Sequence, residues 1–350
     1  MNIQDYILPL FYKPAWHLSK LFGKNRWVGF YCADPLDYHM FEPIKKHLPI
    51  PITYIAKNLK TGHFLKEINI PYKRYPAYPD VVIMARQTAY KFPVRKIVKI
   101  GFDHGLYQFK RWTSSKYYNL FDVYFVSSEN QVELAKERGI TTTVAIGYPK
   151  LDKAFDGTYD EQALEKLRRD LGLDPEKKTV IFSSTWDVAG LSALTRWIDH
   201  VHTLTDKYNT LLTAHPWTDE RLLVKLKSIN GAVYLDEIDI TRYLLIADVF
   251  VGDYNSLIGE FCALDKPIIT FRTPDSDRSI PAVKQLLSKI SLQITDFDQV
   301  ETAIENCLAN PDQLSEGRRY GNMIMHHKLD GRAGQRAAEI IMKLAHDIKK

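Results

Sequence analysis

Cysteine is scarce and scattered: Cys32, Cys262 and Cys307 are odd in number, far apart and never in a Cys-x-x-Cys pair. That argues against a disulfide framework or a structural zinc site and leaves three small apolar residues for the core of a protein in a reducing compartment. No run approaches the roughly 18 uninterrupted apolar residues of a membrane-spanning helix. The N-terminus shows no basic-then-apolar leader with a small-residue cleavage site, so a cytoplasmic protein is expected. Basic residues are dispersed rather than blocked: the formal charge is +5, compatible with an anionic partner but without a nucleic-acid-binding motif. No nucleic-acid partner is expected. A Gly-x-Gly-x-x-Gly turn is absent, which weighs against an ordinary dinucleotide-binding dehydrogenase. No Gly-x-x-x-x-Gly-Lys-Ser/Thr loop, Gly-x-Ser-x-Gly elbow or His-Glu-x-x-His pair occurs, which disfavours ATPases, esterases and zinc hydrolases. The doublet His326-His327 and the spaced His200 and His202 lack a third ligand at sensible spacing, so solvated helix faces are expected.

What is present is the ordinary balance of a globular protein, 45% apolar and 25% charged, over 350 residues. At about one domain per 150 residues, two domains are expected. Short apolar runs alternate with helical patterns, the signature of a parallel sheet with crossover helices, hence an α/β fold. Strands are expected over 27–31, 52–55, 81–84, 97–102, 123–127 and 142–146, then over 180–182, 210–213, 249–251 and 268–271. Helices are expected over 41–47, 130–137, 240–246, 257–264 and 333–348. Leu191, Leu194, Ile198, Val201 and Leu204 recur at helical spacing and predict a helix there. The charged stretch 152–173 carries Gly157 and separates the halves. The expected division is an N-terminal domain over 1–155, a second domain over 156–332, and a C-terminal helix over 333–350 that crosses back to the first. Residues 1–25 mix aromatic, apolar and basic side chains, and Pro9 and Pro14 are expected to break them into short pieces. Such a segment suits either a helix docked on the first domain or one lying on a membrane surface.

In open parallel sheets reactive groups sit where strands end. Four polar clusters have that placement. His104 follows the strand over 97–102, His215 that over 210–213, and Thr185 that over 180–182. Asp253, Asn255 and Ser256 follow 249–251 and open a helix. Each has an ordinary alternative, a hydrogen-bonded structural histidine or a helix N-cap. An Asn-Ser step at a helix start can equally present free N–H groups to a phosphate. Glu260 lies four residues after Ser256, on the same helix face.

These residues resemble the CDP-glycerol glycerophosphotransferase family, the polyol-phosphate transferases of teichoic acids and related capsules. The resemblance runs through His104-Gly105, Ile146-Gly147-Tyr148-Pro149-Lys150-Leu151-Asp152, Ser184-Thr185-Trp186 and His215-Pro216. It continues through Gly252-Asp253-Tyr254-Asn255-Ser256, with Glu260 and Lys266-Pro267, to Asp330-Gly331-Arg332-Ala333-Gly334-Gln335-Arg336. It implies a GT-B-like fold, two Rossmann-like domains facing across a cleft, with the donor held mainly by the second. It implies transfer of glycerol phosphate from a CDP-polyol donor to a polyol-phosphate polymer or lipid-linked glycan acceptor at the inner face of the membrane, releasing CMP. By that resemblance His104 would be the general base and His215 would contact the donor diphosphate. Thr185 would sit beside the phosphates, and Asp253, Asn255, Ser256 and Glu260 would line the donor pocket. No cofactor is implied with certainty, and a divalent metal requirement stays open. The family commonly reads Trp-His-Gly-Thr-Pro where this chain has Asp103-His104-Gly105-Leu106-Tyr107, and Pro-Thr-Trp-Arg where it has Ser184-Thr185-Trp186-Asp187. The donor therefore stays open between CDP-glycerol, CDP-ribitol and another activated alcohol. A nucleotide-sugar glycosyltransferase or UDP-sugar 2-epimerase of the same fold is the alternative.

Overall fold

The computed structural model describes residues 3–22, 26–103, 105–106, 114–186, 190–237, 239–274 and 281–347. The chain divides into two compact units, residues 1–152 with 326–350, and residues 153–325.

The first unit carries a seven-stranded sheet. Its strands are β1 (Val28–Cys32), β2 (Ile52–Ala56), β3 (Tyr72–Arg74), β4 (Val81–Met84), β5 (Val98–Phe102), β6 (Val123–Val126) and β7 (Thr143–Ala145). All pairs are parallel, in the order β3-β2-β1-β4-β5-β6-β7. Strands such as β1 and β4 are buried along their whole length, which is why they read as unbroken apolar runs: crossover helices cover both faces of a parallel sheet. Helices start where a short polar side chain satisfies a free amide. Asp34 caps Pro35–Lys45, Asn58 caps Leu59–Glu67, and Ser128 caps Glu129–Glu137. At Gly101 a Cβ would stand 2.5 Å from the Tyr124 ring and 2.6 Å from Phe121. Glycine there leaves room for both rings against β5.

The unit is completed from the far end of the chain. Helix Ala333–Asp347 packs on helix Pro35–Lys45. The buried carboxylate of Asp152 accepts the amides of Ala333 (3.0 Å) and Gly334 (2.7 Å). Arg336 donates to Ile146 O at 2.8 Å and pairs with Asp330 at 2.9 Å. The motifs around 146–152 and 330–336 are thus two sides of one latch.

The second unit holds β8 (Thr179–Ser184), β9 (Asn209–Ala214), β10 (Ala232–Tyr234), β11 (Val249–Gly252), β12 (Ile268–Phe271) and β13 (Leu292–Ile294). They pair in parallel in the order β10-β9-β8-β11-β12-β13. The expected α/β class, with two Rossmann-like sheets, is what the chain adopts.

Three local expectations are corrected. Residues 191–204 form a four-residue helix, Leu194–Trp197, and a 3₁₀ turn, Val201–Leu204, rather than one helix. Their apolar side chains are buried as expected, because helical spacing reports burial, not continuity. Pro9 and Pro14 lie inside a single helix, Ile3–Phe22. Tertiary contacts hold that helix: Tyr12 donates to Ala77 O (2.6 Å), Trp16 to Pro79 O (2.8 Å), and Lys20 pairs with Asp80 (2.7 Å). His326 is buried rather than solvated, and His327 Nδ1 stands 3.0 Å from Glu129.

Candidate functional site

In each sheet the strand order reverses beside its first strand, and there the loops diverge and open a crevice at the carboxyl edge. In the second unit this point lies between β8 and β11. Thr185 follows β8 and Asp253 follows β11, so two of the residues singled out by sequence meet there. Asp253 is fully buried. Its carboxylate accepts the amides of Thr185 (2.9 Å) and Ala193 (2.7 Å) and the Asn255 side-chain amide (3.2 Å). Desolvation pushes the Asp253 carboxyl up to about 6, and these hydrogen bonds pull the other way. Asp253 therefore holds the backbone on which Thr185 is carried.

Asn255 closes the turn: its Oδ1 accepts from Leu257 N at 3.0 Å, and its Nδ2 reaches Ser183 O at 3.4 Å. Ser256 occupies the N-cap position of helix Leu257–Cys262, but its exposed hydroxyl makes no cap bond, because Asn255 takes the Leu257 amide instead. Glu260, on the next turn, is buried. Gly252 is required by close packing, since a Cβ would meet the Phe250 ring at 2.5 Å and Ser183 O at 3.0 Å.

His215 follows β9, the other neighbour of β8, and its amide donates to Ser184 O at 3.2 Å. The Trp217 amide donates to His215 Nδ1 at 3.1 Å. With Nδ1 accepting, the neutral imidazole carries its proton on Nε2, so it is a donor without being charged. Trp186 and Trp217 flank it, with ring centroids 6.1 and 5.4 Å from the imidazole. Trp217 is 61% exposed. Sequence reasoning missed this indole because a tryptophan after His-Pro carries no motif. Ser184, just before Thr185 at the strand end, accepts from Trp197 Nε1 through its Oγ at 2.9 Å and lies against Asp253.

In the first unit His104 lies outside the described residues. Its neighbour Asp103 is buried after β5, where it accepts from Tyr124 OH (2.6 Å) and Gln87 Nε2 (2.9 Å). Gln87 also donates to Tyr118 OH and Tyr124 OH, both at 3.0 Å. The loops after β4 and β5 are thereby tied together. Beside them a small cavity is lined by Asp103, Gly105, Ser127, Gln131, Gly147 and Tyr148. At the reversal point between β1 and β4, Arg86 Nε stands 3.4 Å from Oδ1 of the fully buried Asp37. Among the described residues no cluster of three His, Cys, Asp or Glu side chains could hold a metal ion. No helix among them is long and apolar enough to cross a membrane.

A family model described as CDP-Glycerol:Poly(glycerophosphate) glycerophosphotransferase matches residues 97–343. A teichoic acid poly(glycerol phosphate) polymerase of Bacillus spizizenii is 25% identical over 142 residues, covering 38% of this chain and 36% of the relative. The chain thus matches little more than a third of that relative's length. A teichoic acid glycerol-phosphate transferase of Staphylococcus aureus is 23% identical over 234 residues, covering 61% of this chain and 57% of the relative. A solved structure of the wall teichoic acid polymerase TagF superposes with a TM-score of 0.72 at 16% identity, over 100% of this chain and 99% of the other. That likeness is one of fold.

Proposed function

The chain belongs to the CDP-glycerol:poly(glycerophosphate) glycerophosphotransferase family, and from that premise we propose that it transfers a polyol phosphate from a CDP-activated donor, glycerol first, to a polyol-phosphate polymer or lipid-linked acceptor. The observation that carries this reading is the convergence of Thr185, His215, Asn255 and Ser256 around the reversal point of the second sheet, over the buried Asp253.

His104 takes the proton of the acceptor hydroxyl, a general-base role that imidazole side chains commonly fill and that contributes roughly 10²–10⁴-fold. The acceptor oxygen bonds to the phosphorus bearing the polyol, the bridging P–O bond breaks, and CMP leaves with the electron pair. His215 Nε2–H and the hydroxyls of Thr185 and Ser256 donate to the diphosphate and hold its developing charge. Asp253 acts as a positioning residue through the Thr185 amide. Glu260 is buried one turn beyond Ser256, and we assign it to the donor's polyol hydroxyls.

The N-terminal helix supports association with the inner leaflet. Its docked face carries Tyr12, Trp16 and Lys20, while Leu10, Phe11 and Leu21 are 70%, 73% and 80% exposed on the other side, with Leu18 between them. An apolar stripe on a docked helix can lie in the headgroup layer. Flotation with anionic vesicles should be lost when Leu10, Phe11, Leu18 and Leu21 become glutamine; equal flotation would refute it.

The deciding experiment is CMP release from CDP-glycerol with a glycerol-phosphate-primed acceptor, in wild type and His104→Ala. Release that needs both acceptor and His104 supports the reading. Silence from wild type with CDP-glycerol and CDP-ribitol, with stabilisation by UDP instead, moves the chain to sugar-nucleotide chemistry.

A further inference from the structure

Arg86 sits at the reversal point of the first sheet, directly after β4, where an open parallel sheet takes its ligand. Its surroundings are those of an incomplete ion pair. Asp37, the counter-charge, is fully buried and spends Oδ2 on the amides of Ala33 (2.7 Å) and Asp34 (3.1 Å). Oδ1 faces Arg86 Nε at 3.4 Å, too long for a good hydrogen bond, and both atoms are buried without a hydrogen-bond partner. Among the described residues nothing accepts from the rest of the guanidinium, and the side chain keeps 24% of its surface. A guanidinium has five donors in a planar fork that matches two oxygens of a phosphate. Arg86 is anchored at one end by Asp37 and open at the other.

The start of helix Pro35–Lys45, the usual phosphate seat of such a sheet, is already filled. The Asp34 carboxylate accepts from the Leu36 amide in its first turn, and the Asp37 carboxylate takes the amides of Ala33 and Asp34 just ahead of it. A nucleotide diphosphate is therefore poorly served there, whereas a single phosphate on the Arg86 fork is well served. Gln87, the next residue, is hydrogen-bonded to Asp103, which precedes His104. The loops that follow β4 and β5 are thus tied to one another.

We propose that Arg86 is the residue that holds the acceptor, binding a phosphate of the polyol-phosphate chain, phosphodiester or terminal monoester, on a loop tied through Gln87 to Asp103. This rests on the acceptor class proposed above, but it concerns the first unit alone and does not depend on the identity of the donor.

The test is direct binding, without donor, of a synthetic tri(glycerol phosphate) and of a phosphate-free glycerol oligomer of equal length, by calorimetry on the full chain. Arg86→Gln should weaken the phosphorylated oligomer about 10- to 100-fold, the range expected for a charge-assisted bidentate contact, and leave CDP affinity unchanged. Because Arg86→Gln strands the Asp37 carboxylate, the pair Arg86→Gln/Asp37→Asn is measured beside it. If that double variant recovers wild-type binding, Arg86 only neutralises Asp37 and the proposal is wrong. Equal binding by wild type and Arg86→Gln, no binding by wild type, or a loss of CDP affinity instead would also overturn it. Arg86-dependent binding in a protein that releases no CMP from any CDP-polyol would leave this proposal standing and remove the donor reading.

Discussion

Replacing Asp253 by asparagine separates the loop-holding role of this carboxylate from its charge. Asp253 takes the amides of Thr185 and Ala193 at 2.9 and 2.7 Å in a fully buried setting. Asparagine offers one acceptor oxygen and an NH₂ group, so one amide loses its partner and faces a donor. A buried donor without a partner costs about 1–3 kcal/mol. Against this stands the relief of a buried charge. Desolvation raises the Asp253 carboxyl from 3.8 to about 6, a penalty of about 3 kcal/mol on the folded state at neutral pH. The two effects oppose each other, so Asp253→Asn should shift stability at pH 7.5 by about 2 kcal/mol or less. The comparison changes with pH. A folded-state pKa above the unfolded one means that wild type gains stability as pH falls from 6 towards 3.8. The variant has no such titration, and the other carboxylates cancel in the difference. Wild type's advantage in urea unfolding should therefore widen by up to about 3 kcal/mol between pH 7 and pH 4. At neutral pH, hydrogen exchange across residues 183–194 should accelerate and CMP release fall about 10- to 100-fold from misplacement of the loop. A stability gap that stays constant with pH would refute the buried charge. Unchanged exchange across 183–194 would refute the loop-holding role.

Gly101→Ala places a methyl 2.5 Å from Tyr124; it should cost about 1–3 kcal/mol, read as a lower Tm, and should weaken the Tyr124–Asp103 bond as well. Asp152→Ala strands the amides of Ala333 and Gly334. A loss of about 1–3 kcal/mol is expected, with faster exchange confined to 333–347 and helix 35–45. Arg318 is buried and donates to Asp265 and to the carbonyl of Pro311. Arg318→Ala should destabilise the second unit by about 3 kcal/mol, while Arg86-dependent acceptor binding in the first unit stays intact.

The interior strands were legible because burial on both faces leaves an uninterrupted apolar run, as in Val81–Met84 and Ile268–Phe271. Of the three-residue edge strands, Thr143–Ala145 was legible within the stretch 142–146, whereas Tyr72–Arg74, Ala232–Tyr234 and Leu292–Ile294 were not set apart from loops by any pattern. Proline misled at the N-terminus: local chemistry predicted a break, whereas anchoring by Tyr12 and Trp16 outweighs the missing amides. Within the site, sequence position at a strand end identified Thr185, His215 and Asp253 but not the direction of their contacts. That Asp253 faces inward to backbone amides depends on the reversal of strand order, which juxtaposes the loops after β8 and β11. Arg86 and Gln87 belong to no motif, and only the pairing of β4 between β1 and β5 brings them beside Asp37 and Asp103.

Because the first unit is closed by residues 326–350, its assembly runs against the direction of synthesis. Residues 1–152 leave the ribosome before the Ala333 and Gly334 amides that Asp152 holds, so the first unit is completed only after the whole of the second has been translated. The second unit is contiguous and can complete itself first, as an insertion that draws the two separated parts of its neighbour together.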